Sequence, residues 1–143
     1  MIRPTRRRSR PAKPNALRAR IVWRPADPLP ARGAYPSVEA LRESRRGARE
    51  RAARAAAIDV LRRLRARGVR AGVFGSLATG RFRLHSDVDF IVLECPPALR
   101  YRIETDVEKR MRGIAFGVAY ADEMREPWRS RALAALRDES GLR

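Results

Sequence analysis

At 143 residues the chain has room for one domain with a real hydrophobic core and none for a second catalytic domain. Its 33 Lys+Arg against 16 Asp+Glu give a formal net charge of +17, which favours polyanionic partners such as nucleotides, nucleic acid or an acidic protein without choosing among them. The lone cysteine, Cys95, excludes an internal disulfide and fits a reducing cytoplasm, and no apolar run approaches the roughly 18 residues of a membrane span. Lys13 and Lys109 are the only lysines, and alanine is abundant. That bias reads partly as a GC-rich genome, so arginine number alone carries no functional claim.

Residues 1–36 hold seven of the ten prolines, ten basic residues and one acid, Asp27, so this segment carries +9 of the formal +17. Such a composition buries too little apolar surface to offset its ordering entropy, and an extended or disordered basic arm is expected. Arg6-Arg7-Arg8 suits a tail that binds nucleic acid or a partner, and equally a solvated tail. Being Arg-rich and acid-poor, the segment also mimics an organellar transit peptide, but its prolines spoil the amphipathic helix that such a leader needs.

From Ser37 to Arg67 the pattern turns helical, with Ser37 as N-cap, Gly47 as a point that breaks or loosens the helix, and Gly68 as C-cap. Ile58, Leu61, Leu64 and Arg65 fall at helical spacing and give its second half one apolar stripe, while its Arg-heavy face is either solvated or a surface for RNA. Val69, Ala71 and Val73 alternate as a first strand, and a second strand runs over residues 88–94 until Pro96-Pro97 stops it. Residues 98–112 read as a helix with Leu99, Ile103, Val107 and Met111 along one face, ended by Gly113. Residues 114–120 read as a third strand, apolar on both faces and so expected in the middle of the sheet. Pro127 opens a last helix whose Trp128, Ala132 and Leu136 share a face, with Trp128 packed on the sheet. The expected class is α+β: a small mixed sheet flanked by helices over residues 37–143, preceded by the basic arm.

Chemistry concentrates between the first two strands. Gly75-Ser76 follows the first, a ten-residue spacer runs from Leu77 to Ser86, and Asp87-Val88-Asp89 enters the second. Strand residues two apart share a face, so Asp87 and Asp89 project together, about 7 Å apart along the chain, and suit one or two Mg2+ ions. Gly75 permits close approach of backbone to a phosphate, and the N–H groups and hydroxyl around Ser76 form an anion nest. These parts suit a metal–triphosphate and in-line phosphoryl or nucleotidyl transfer. Each part alone is commonplace; the spacing that joins them is specific. His85 reads as a solvated loop residue or a phosphate contact, Cys95 as a small apolar filler, and Trp23 as a partner anchor within the arm.

Gly75, Ser76, Ala78, Gly80, Ser86, Asp87 and Asp89 together resemble the signature of the DNA polymerase β type nucleotidyltransferase superfamily, and within it the minimal nucleotidyltransferases. The order of elements agrees from about Ser37 to Leu136. The resemblance implies that Ser76 touches nucleotide phosphates, that Asp87 and Asp89 hold Mg2+, and that ATP is the donor of AMP to a partner's hydroxyl. Small members of the family act as antitoxins that adenylylate a HEPN-type ribonuclease toxin, which implies such a partner here. The sequence departs from the family at two positions. Thr79 stands where a basic residue is common, although Arg81 and Arg83 share the loop, and Gly117 falls where a third carboxylate binds metal and deprotonates the acceptor. Asp122 and Glu123 lie too far along an extended strand to replace it. Gly117 therefore favours an alternative: a weak or inactive nucleotidyltransferase-fold module that neutralises a toxin or binds RNA.

Overall fold

The computed structural model describes Gly33 and residues 35–143. The expected basic arm, with Arg6-Arg7-Arg8 and Trp23, lies outside the described residues except for its last few positions.

Helix α1 spans Val38–Ala66, and Ser37 caps it by accepting a 3.1 Å hydrogen bond from the Ala40 N–H. Such a cap is worth about 1 kcal/mol over alanine. The helix runs unbroken through Gly47, against expectation, because neighbouring Ala, Arg and Glu residues are strong helix formers. Ala53, Ala57, Val60, Leu61 and Leu64 are its buried positions, all in the second half. Gly68 ends it at φ +80°, one residue beyond the Arg67 cap.

Strand β1 (Arg70–Phe74) leads into the one-turn helix α2 (Gly75–Ala78), followed by β2 (Val88–Glu94). The expected helix over 98–112 divides into a 3-10 turn, Pro97–Arg102, and α3, Ile103–Met111. Proline at the start of the segment cannot donate a backbone bond, and tighter turns are common at such helix entries. Strand β3 is Phe116–Tyr120, and α4 is Trp128–Ala134.

The sheet order is β1-β2-β3, with β1 antiparallel and β3 parallel to β2. The central strand is therefore β2, which corrects the expectation for β3. Apolar residues on both faces report that both faces are covered, and say nothing of pairing along the strand's edges. Phe116, Val118 and Tyr120 pack against the main core, while Ala119 packs on a second cluster.

The alternation of β2 divides these two layers. Val88, Phe90 and Val92 face α1 and α3, together with Ile103, Val107 and Met111. Ile91, on the Asp89 face, packs with Ala121 and Ala132. Each fully buried aliphatic or aromatic side chain in these layers contributes about 1.5–3 kcal/mol. Trp128 is 67% exposed, contrary to expectation; Ala132 makes the helix's contact with the second cluster, and Leu136, expected on the same helix face, packs there from beyond the end of α4. Beyond α4 the chain returns to β1, where Val73 and Arg137 exchange two backbone hydrogen bonds of 2.8 Å. Leu142 is fully buried in the main core. No helix among the described residues is long and apolar enough to cross a membrane.

Candidate active site

The two carboxylates sit where the sheet opens. Asp87 is exposed immediately before β2, and Asp89 is half-buried as its second residue. Strand alternation gives both the face away from α1 and α3. Asp89 occupies the centre of the site, because it pairs with Phe74 of β1 on one side and Gly117 of β3 on the other.

Gly75 is the next residue after Phe74 and has φ +74°. A Cβ there would lie 2.6 Å from Asp89 Oδ2. Both backbone conformation and space therefore demand glycine, and the carboxylate rests in the hollow this leaves. Burial pushes the Asp89 carboxyl above the usual carboxylate range, and the nearby Asp87 charge adds to the effect. Neither aspartate has an ion-pair partner among the described residues. Two neighbouring carboxylates, one exposed and one half-buried, are an oxygen donor set for a hard cation.

The spacer between Ser76 and Asp87 is anchored at two points, Leu77 at 0% and Phe82 at 1% exposure. Within it Thr79 is exposed, and its hydroxyl donates to the Gly75 carbonyl at 3.0 Å, closing α2. Position 79 thus serves local structure. Arg81 and Arg83 remain exposed, and Ser86 brackets the loop by accepting from the Arg83 N–H at 2.9 Å. From α1, Arg49 donates to the Ser86 carbonyl at 3.4 Å, supporting the residue just before Asp87. His85 is exposed.

Gly117 stands opposite Asp89 in the parallel register, as its alignment predicted, and a Cβ there would be 3.6 Å from Asp89 Oδ1. A side chain at 117 would reach directly to the carboxylate pair; glycine offers none. Asp122 and Glu123 do not substitute. Both pair with Arg100 at the opposite end of the sheet, with Asp122 Oδ2 2.8 Å from Nη1. Arg100 also lies 4.1 Å from the centroid of the Tyr120 ring, and the Tyr120 hydroxyl donates to the Arg100 carbonyl at 3.0 Å. The described residues contain no group of three or more His, Cys, Asp or Glu suited to a metal. Two carboxylates are what this site has.

Sequence reasoning located Gly75, Ser76, Asp87 and Asp89, and the fold brings them together between β1 and β2. It missed Phe82 as the loop's anchor and Arg49 as its support. Phe82 had a local signal, as the one large apolar residue between two arginines in a polar loop; Arg49 had none, since its contact spans 37 positions.

A strand, a glycine-serine turn, and an aspartate pair at the start of the central strand of a three-stranded mixed sheet fit a nucleotidyltransferase fold. The nucleotidyltransferase domain family matches the chain over residues 55–134, and the chain belongs to that family. Neither the curated proteins nor the solved structures compared with it gave a match.

Proposed function

We propose that the chain transfers a nucleotidyl group, AMP from ATP, to a hydroxyl of a partner, with Mg2+ held by Asp87 and Asp89. The observation that carries this reading is the Asp89 carboxylate seated against Gly75, beside Asp87 and with no ion-pair partner among the described residues. The donor set fits Mg2+, which takes oxygen ligands and keeps several of its positions for water and phosphate. Bound there, the ion would neutralise triphosphate charge and polarise the phosphoryl oxygens.

The protein's own groups would do the rest. Ser76, on the first turn after Gly75, donates its hydroxyl to a phosphate oxygen, and Arg81 and Arg83 offer charge from the same loop. In the transfer, the acceptor oxygen bonds to the α-phosphorus while the bond to the β-phosphoryl oxygen breaks and pyrophosphate leaves. The acceptor's proton passes to solvent, because residue 117 supplies no base. A missing general base typically lowers the rate by about 10² to 10⁴, so turnover is slow. The acceptor we propose is a HEPN-type ribonuclease toxin in a reducing cytoplasm, on the resemblance to small antitoxin-type members of the family.

Gly117 favours a second reading, in which the fold binds Mg2+–nucleotide and neutralises a toxin or holds RNA without turnover. Incubation of the full chain with α-labelled ATP, Mg2+ and a candidate HEPN partner separates the two. Transfer that disappears in Asp87→Ala/Asp89→Ala supports the enzyme; transfer that survives it removes the metal mechanism. No transfer to any acceptor, with nucleotide binding intact, supports the binding module.

A further inference from the structure

The chain's excess of arginine is unevenly neutralised. Eight arginines among the described residues sit in ion pairs. Arg125, just before α4, and Arg129 and Arg131, within it, are exposed and make no ion pair among the described residues, although the Arg129 charge is felt by Glu126. The acids nearest in sequence are already engaged. Glu126 accepts from the Ser130 hydroxyl at 2.6 Å and from its N–H at 3.2 Å, and Asp122 and Glu123 belong to Arg100.

Among these three arginines stands Trp128, 67% exposed. One turn later Ala132 is only 7% exposed, buried against Ile91 and Ala121, so α4 is anchored while the indole faces solvent. The Arg131 guanidinium lies 5.7 Å from the centroid of the ring. An aromatic of this size left in water forgoes a large burial gain, and exposed tryptophan with arginine is a recurrent composition of binding surfaces.

We propose that this face binds single-stranded nucleic acid, with a base stacked on the Trp128 indole and phosphates paired with Arg125, Arg129 and Arg131. An acidic peptide would satisfy the arginines and leave the indole uncovered. A nucleic-acid strand uses both, since every base presents a π-face and every linkage a charge. The patch follows the far end of β3, where Tyr120 pairs with Val92, whereas Asp87 and Asp89 lie at the start of β2. Through Ala132 the helix packs on Ile91, on the same face of the sheet as Asp89, but strand binding read at Trp128 does not depend on turnover at the carboxylates.

Trp23 and Trp128 are the only tryptophans, so the full chain carrying Trp23→Phe reports on Trp128 alone. Titration with a short oligothymidylate should quench its emission saturably. In that background Arg129→Ala/Arg131→Ala should weaken the quench-derived affinity about 10-fold and reduce the log–log salt slope by about 1.4, two single-strand phosphate contacts. Competition of labelled strand should show Trp128→Ala weakened about 10-fold and Trp128→Phe close to the parent. Strand binding that leaves Trp128 emission unchanged would overturn the proposal, as would arginine variants that quench at parental affinity. Equal quenching by polyglutamate, resistant to displacement by oligothymidylate, would also overturn it and mark a protein-docking face.

Discussion

Two carboxylate pairs, Asp122 with Glu123 and Asp87 with Asp89, lie at opposite ends of the sheet and meet opposite surroundings. Beyond β3, Asp122 and Glu123 are gathered by one guanidinium that stacks on Tyr120, and that pairing holds the Asp122 carboxyl below the usual carboxylate range. At the start of β2, Asp87 and Asp89 have no such partner, and burial with mutual repulsion drives Asp89 the other way. The first arrangement is a finished clamp between the end of β3 and the turn before α3. The second leaves charge uncompensated in a hollow that only glycine can form, which is the electrostatic condition of a cation site.

The largest expected effect breaks the unpaired end. Asp87→Ala/Asp89→Ala should lower label transfer from ATP by about 10⁴-fold, to background, as removal of residues acting as a unit does. Gly117→Asp should act in the opposite direction: its Cβ meets Asp89 at ordinary contact distance, and the added carboxylate should raise transfer about 10²-fold in single-turnover assays. No gain in a folded variant would mean that residue 117 is not the missing base.

Stability measurements sharpen the contrast. Gly75→Ala forces a side chain to φ +74° and onto Asp89 Oδ2, and should cost about 2 kcal/mol or more by urea denaturation, with loss of transfer. Asp89→Asn should raise Tm by about 2 °C at neutral pH without Mg2+. The sign follows from the raised carboxyl: folding disfavours its ionised form, so the penalty is absent below the ordinary carboxylate pKa and grows as pH rises through the folded value. The two proteins should therefore converge near pH 3, a value below the usual carboxylate range. Smallest of all, Arg100→Ala should lower Tm slightly and leave label transfer unchanged, since its partners are exposed and remote from Asp89.

The carboxylate site was legible because its signals are local. Glycine before serine, aspartates two apart, and proline after the strand state their geometry within a few residues, and the bounds of β2 came out as expected. Even Gly117 was found, because matching β3 residue by residue to the family's third strand gives the same partner as the parallel register. The Arg100 clamp was not legible, since it joins residues 22 or more apart and nothing local marks which carboxylate an arginine will take. The edge position of β3 and the exposure of Trp128 escaped for a related reason: periodicity reports which face is apolar, not which neighbours lie there to cover it. In α4, Ala132 is covered by Ile91 and Ala121, while Trp128, one turn earlier, is left exposed.

The account rests on Asp87 and Asp89 forming a Mg2+–nucleotide site, and isothermal titration of the full chain with ATP, with and without Mg2+, tests it most directly. Saturable binding that requires Mg2+ and vanishes in Asp89→Asn is the predicted result. Binding of equal strength in Asp89→Asn, or no binding by the wild-type chain, would contradict it.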